Sequence, residues 1–150
     1  VWYDATKPTE KASRPEINFE IANVLFNLAA ALSYSAFVED RSTLPGLQAA
    51  CKAFQLAAGA LDALAALPLS TDEVAPSTPD LHPRSISGWR SLMLAQAQLC
   101  FYDKACTDAM KPSVVAKLAA QVAVQCEEAE ASLKPISGQK ETQVQAKLDR

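Results

Sequence analysis

INFEIANVLFNLAAAL, residues 17–32, is the stretch that decides the fold class. Ile17, Ile21, Val24, Leu25, Leu28 and Leu32 recur at helical spacing, and Phe19, Ala22, Phe26 and Ala29 make a second apolar stripe. A helix apolar on two sides is buried between neighbours, so the segment predicts a helix inside a helical assembly. Just upstream, Ser13-Arg14-Pro15-Glu16 reads as a capping box that starts this helix near residue 14.

Proline and glycine punctuate the rest. Proline-free stretches rich in Ala, Leu, Gln, Lys and Glu favour helices, because those side chains lose little entropy there. The pattern predicts five, over about 14–38, 44–67, 84–110, 112–133 and 139–150. The second carries Leu47, Ala50, Cys51, Phe54, Ala57, Ala58, Leu61 and Leu64 on one face, with Gln48, Lys52, Gln55 and Asp62 opposite. The third has two stripes, Leu92–Ala95–Leu99–Tyr102–Cys106 and Leu94–Ala97–Phe101–Ala105. The fourth opens on Pro112, whose fixed φ suits a first helical turn, and carries Val115, Leu118, Val122 and Cys126, with Val114 beside them. Between the second and third helices, residues 68–83 hold four prolines and read as an irregular loop. Short links between long helices predict antiparallel neighbours, so the fold class is all-α.

Composition narrows the function. Hydrophobic residues make up 49% and charged residues 21% of the 150, ample to bury a core. A net charge of −3 supplies no basic field for nucleic acid. By sequence no apolar run reaches the length of a membrane span; Ala57 to Leu67 comes closest, interrupted by Asp62. The cysteines at 51, 100, 106 and 126 form no CxxC pair and read as buried free thiols in a reducing compartment.

Catalytic constellations are missing from the pattern. The single histidine, His82, sits between Leu81 and Pro83 in the loop and reads as a solvated group. Glu127, Glu128 and Glu130 read as a solvated helix face. No glycine-rich phosphate loop and no metal-ligand cluster is present, so neither catalytic residues nor metal nor cofactor is expected. Asn23 and Asn27 share a face of the first helix and read as a buried polar bridge to a neighbour. What remains is a protein–protein interaction module with a groove in place of a pocket.

Four segments then stop being generic. Phe19 to Ala30 resembles the signature of the Bro domain found in Alix-type adaptors of the ESCRT machinery. The resemblance continues through Ala49 to Ala60, Ser91 to Gln98 and Lys111 to Ala119, and Trp2-Tyr3-Asp4-Ala5 is similar to the tryptophan-bearing segment before the family's long helix. It covers residues 1 to about 125. A full Bro domain is more than twice this length, so residues 1–150 look like its central part, without its N-terminal strands and C-terminal helices.

The resemblance implies a curved, tetratricopeptide-like helical solenoid. It also implies a partner, the C-terminal amphipathic helix of an ESCRT-III subunit of the Snf-seven/charged-multivesicular-body-four type, laid in a hydrophobic groove. The family's contact positions fall on Phe101, Val114 and Leu118, with a fourth, often lysine in animal members, on Gln48. Gln48 removes a charge there, and Leu99 stands where the family often has Glu. The setting implied is endosomal sorting or fungal ambient-pH signalling, in a cytoplasmic protein brought to endosomes or plasma-membrane ESCRT sites through its partners. A generic helical-repeat scaffold, or a rhophilin-like signalling scaffold binding another peptide, is the alternative.

Overall fold

The computed structural model describes residues 1–5, 9, 11–69 and 79–148, with side chains as far as Lys134. A two-stranded antiparallel ribbon comes first, β1 (Trp2–Tyr3) against β2 (Lys11–Ala12), with Trp2 facing Ala12. Four helices follow: α1 (Ile17–Val38), α2 (Leu44–Ala65), α3 (Pro83–Thr107) and α4 (Pro112–Leu148). Each packs on the next, α1 on α2, α2 on α3 and α3 on α4. The fold is all-α apart from the short ribbon, although the resemblance places the family's strands outside residues 1–150.

The ribbon explains the start of α1. Pairing with β1 holds residues 11–12 extended, and the helix begins at Ile17 with Glu16 as N-cap rather than at the expected Ser13 box. No side chain caps it; the Glu16 carbonyl accepts from the N–H groups of Phe19 and Glu20. Trp2 anchors the ribbon by donating its indole N–H to Glu20 Oε2 at 2.6 Å.

Of the two stripes expected to be buried on α1, one is. Phe19, Ala22, Asn23, Ala29 and Ala36 face the core, whereas Ile17, Ile21, Val24 and Leu28 are exposed. The described residues supply α2 on one side of α1 and no second helix on the other. The same exposed stripe makes α1 long and apolar enough to cross a membrane by length and composition, contrary to the expectation that no segment reaches that length. Asn23 is buried but donates to the Phe19 carbonyl of its own helix at 2.7 Å, and Asn27 is exposed, so among the described residues neither makes the expected bridge to a neighbour. A carbonyl one turn away on the same helix is the shortest route to satisfaction.

Helix α2 is the central layer. Thr43 caps it, its Oγ1 accepting from the Gly46 N–H at 3.2 Å. Glycine is required at 46: a Cβ there would lie 2.1 Å from the Asp40 carbonyl oxygen. Alanines 50, 57 and 58 are buried and let neighbours approach closely. One core cluster gathers Phe19, Leu61, Leu64, Leu81 and Ile86; a second gathers Leu47, Phe54, Ala97 and Cys100.

The expected loop at 68–83 lies largely outside the described residues, but its end is ordered as a 3-10 turn, Pro79–Leu81. Asp80 there is buried against Asp4: its backbone N–H donates to Asp4 Oδ2 at 3.2 Å, while its own Oδ2 accepts from the Ala5 N–H at 2.9 Å. Burial foremost, opposed by the Ala5 N–H but aided by the facing Asp4 carboxyl, pushes Asp80 from 3.8 up to about 6. A carboxyl whose pKa rises on folding stabilises the fold in its protonated form. Its contribution is present below about pH 4 and is lost as pH rises through about 6. Thermal melts of Asp80→Asn are therefore expected to show a shallower loss of stability from about pH 4 to about pH 7 than the parent chain. Parallel slopes would show that the pair does not titrate in this range.

His82 has a structural role that its loop position does not disclose. It is the N-cap of α3, Nδ1 accepting from the Arg84 N–H at 3.2 Å, with Pro83 at the first helical position. At the other end Ala109 adopts φ 50°, and Met110 N–H bonds to the Ala105 carbonyl at 3.0 Å while Ala109 N–H bonds to that of Cys106 at 3.1 Å. This pair of bonds is the Schellman ending, made here with alanine where glycine is usual.

The break expected between residues 133 and 139 does not occur; α4 runs through Pro135 to Leu148. Proline lacks the N–H that would bond to the carbonyl of Ala131, and Arg84 Nη2 takes that place at 2.7 Å. Two of the four thiols also depart from expectation. Cys100 is buried and Cys51 half-buried, but Cys106 and Cys126 are exposed, on stretches of α3 and α4 that no neighbour among the described residues covers. Glu127, Glu128 and Glu130 lie exposed as expected, with Glu130 3.7 Å from Lys134.

Candidate partner-helix groove

Contacts between helices fix the levels of the four candidate residues. Cys51 donates its thiol to the Ala97 carbonyl and Asp62 pairs with Arg90, so α2 and α3 run antiparallel. Counting from Cys51 back to Gln48 and from Ala97 forward brings Gln48 level with the turn that carries Phe101. On the other side, Gly88 abuts Ser132 and Leu133. Counting equally along α3 and α4 from that contact brings Phe101 level with the turn of Leu118. Val114 lies one turn nearer the α3–α4 connection, on the same face as Leu118. Gln48, Phe101 and Leu118 thus mark one level across three helices.

Their surroundings are those of an open apolar surface. Phe101 is 46% exposed and Val114 39%, large values for apolar side chains flanked by packed helices. Leu118 is half-buried and Gln48 exposed. Phe101 is outward because the α3 positions beside it are the ones packed inward: Ala97, Cys100 and Ala105 are buried. The turn at Ala109 and the Pro112 start of α4 hold Val114 close to the end of α3.

Two residues outside the expected set belong to the same surface. Leu44 is exposed one turn before Gln48 on α2, and Met110 is exposed in the α3–α4 turn. The i, i+4 spacing of Leu44 and Gln48 is a usable signal; Met110 gives none, because a turn has no periodicity. Around the surface, Lys52, Lys111 and Lys117 are exposed, and Lys104 pairs with Asp108 at 2.6 Å. Lys52, one turn beyond Gln48, offers the positive charge that Gln48 lacks.

The chemistry available is binding. Among the described residues no group of three His, Cys, Asp or Glu side chains comes together to hold a metal. Burial pushes the Cys51 and Cys100 thiols up, away from the reactive thiolate, although the Arg41 guanidinium beside Cys100 acts in the opposite sense.

Comparison with known proteins identifies the family of this helical fold. A family model described as BRO1-like domain matches residues 1–150, beyond the limit near 125 that the segments suggest. The pH-response regulator protein palA/RIM20 of Emericella nidulans is 41% identical over 123 residues, which cover 81% of this chain and 14% of that protein. The vacuolar-sorting protein BRO1 of Arabidopsis thaliana is 39% identical over 134 residues, 89% of this chain and 16% of that one. The chain therefore spans about one-seventh of the length of these curated relatives. A solved structure of an ALIX BRO1 CHMP4C complex superposes with a TM-score of 0.71 at 31% identity, covering 88% of this chain and 38% of the solved one.

Proposed function

The chain belongs to the BRO1-like domain family, and from that membership we propose that it is an adaptor surface that docks the C-terminal amphipathic helix of an ESCRT-III subunit. Helix-in-groove recognition needs spaced apolar anchors that remain solvent-accessible before binding. The observation that carries the reading is that Phe101 and Val114 are large, apolar and exposed on the packed α3–α4 pair, with Leu118 half-buried at the level of Phe101. In this reading Phe101, Val114 and Leu118 take the apolar face of the incoming helix, and Gln48 with Lys52 meets its polar side.

A relative solved with CHMP4C and relatives named for vacuolar sorting and pH response support an ESCRT setting. The protein acts in the cytoplasm, reaches endosomal membranes through its partners, and needs neither catalysis nor a cofactor for this work. Titrating the chain with the C-terminal helix peptide of CHMP4C, and with the same residues scrambled, tests the proposal. Saturable binding of the native order alone is expected. Equal binding of both peptides would favour a general helical-repeat scaffold instead.

A further inference from the structure

The groove changes character along its length. Toward the α3–α4 connection it is apolar, with Leu44, Met110 and Val114 exposed. In the opposite direction all three helices turn to glutamine. On α2, Gln55 follows Gln48 by seven residues and so keeps its face. On α4, Gln121 and Gln125 follow Leu118 by three and seven. On α3, Gln98 and then Leu94 precede Phe101 by three and seven residues, on the same side of the helix. Counting from the contact of Gly88 with Ser132 and Leu133 sets Gln98 level with α4 between Gln121 and Gln125. Counting from Cys51 and Ala97 sets Gln55 level with Leu94, about one turn further on.

The two ends reward opposite chemistry. Gln98 and Gln125 are half-buried, and Gln55 and Gln121 are exposed. Gln125 Oε1 is buried and accepts from no donor among the described residues. A side-chain amide carries two N–H donors and a carbonyl acceptor, so this end is dense in groups that hydrogen-bond. An apolar side chain laid over them strips their water and returns no hydrogen bond, whereas an amide returns both a donor and an acceptor. At the other end the preference inverts, because Leu44, Met110 and Val114 gain only by apolar cover.

Resting on the docking surface inferred above, we propose that the groove selects its partner by this gradient: it takes a helix whose groove-facing side chains are apolar over Leu44, Met110 and Val114 and end in an amide over Gln98, Gln121 and Gln125. A helix apolar from end to end is the poorer ligand, although it carries more apolar surface to bury.

The probes are three capped helical peptides that differ only in the four side chains along one face. One has leucine at all four; the others have glutamine at the N-terminal or at the C-terminal one of them, so that either direction of the bound helix is covered. By calorimetry the tighter glutamine peptide is expected to bind about threefold more tightly than the all-leucine peptide. Gln98→Leu combined with Gln125→Leu, which keeps side-chain size, is expected to reverse that order, a shift of about tenfold in the ratio of affinities. Gln121→Leu, at an exposed position, is expected to move the ratio the same way by a smaller factor, which keeps the test decisive should the double variant fail to fold. Leu118→Asp is expected to bind none of the three. A parent chain that prefers the all-leucine peptide, or a ratio that these glutamine substitutions leave unchanged, would overturn the gradient alone as long as Leu118→Asp abolishes binding. Undiminished binding by Leu118→Asp would overturn the docking surface together with it.

Discussion

Leu118→Asp is expected to weaken binding of the ESCRT-III helix by about 30-fold or more while leaving the far-ultraviolet circular dichroism of the chain unchanged. The magnitude follows from what the leucine supplies. Burying its side chain contributes about 1.5–3 kcal/mol, and a carboxylate pressed against the partner's apolar face adds a desolvation cost. A loss of about 2 kcal/mol already corresponds to roughly 30-fold in affinity. Folding is spared because Leu118 is half-buried in the free chain, so aspartate at that position can turn its carboxylate to water. The opposite outcome is equally readable. If Leu118 were core, an unpaired buried charge would cost several kcal/mol, and helicity and binding would fall together. Circular dichroism and titration of the same sample separate the two.

How far the sequence discloses such a surface depends on the kind of signal. Helix α2 is legible almost to the residue, because Thr43, Pro45 and its one-sided stripe of Leu47, Phe54, Leu61 and Leu64 all agree. The two-sided α1 is legible as a helix but not as to which side is covered. Periodicity reports that Ile21 and Val24 are apolar, not what stands opposite them, and the described residues leave that stripe in solvent. Phe101 shows the same ambiguity in the other direction. Its stripe on α3 reads as core, and only the packing of Ala97 and Ala105 beside it leaves the larger ring outside.

The positions where pattern and structure part have local causes. Pro135 reads as a stop because a proline interior to a helix forfeits one hydrogen bond; the donor that replaces it, Arg84, is remote in sequence. His82 reads as solvated, and it is exposed, but its ring also caps α3, a role set by backbone geometry that a lone histidine does not announce. Nothing in residue spacing links Asp4 to Asp80, one in the N-terminal ribbon region and the other in the turn before α3. Tertiary hydrogen bonds of this sort are the part of a fold that patterns cannot carry.

Gly88→Val is expected to cost the chain a large part of its stability. A Cβ at residue 88 would stand 2.7 Å from Leu133 Cγ, 2.8 Å from its Cδ2 and 2.9 Å from Ser132 Cβ, all closer than carbon atoms approach. Glycine in a helix interior normally loses about 1 kcal/mol to alanine, so any gain in helix propensity works in favour of the substitution. The clash reverses that sign. Overpacking a tight contact costs about 1–3 kcal/mol, and the two further methyls of valine place the expected loss near the top of that range. Urea melts should show a lower midpoint with a similar slope. Leu133→Ala removes two of the three obstructing carbons, so Gly88→Val in that background should cost less than in the parent chain, a coupling that a double-mutant cycle measures. The damage also reaches the groove. Val114 and Leu118 ride on α4, and prising α4 away from α3 separates them from Phe101, so affinity for the ESCRT-III helix should fall even where most of the chain remains folded. An unchanged midpoint for Gly88→Val would mean that α3 and α4 do not meet at Gly88, and the level of Phe101 with Leu118 would lose its basis.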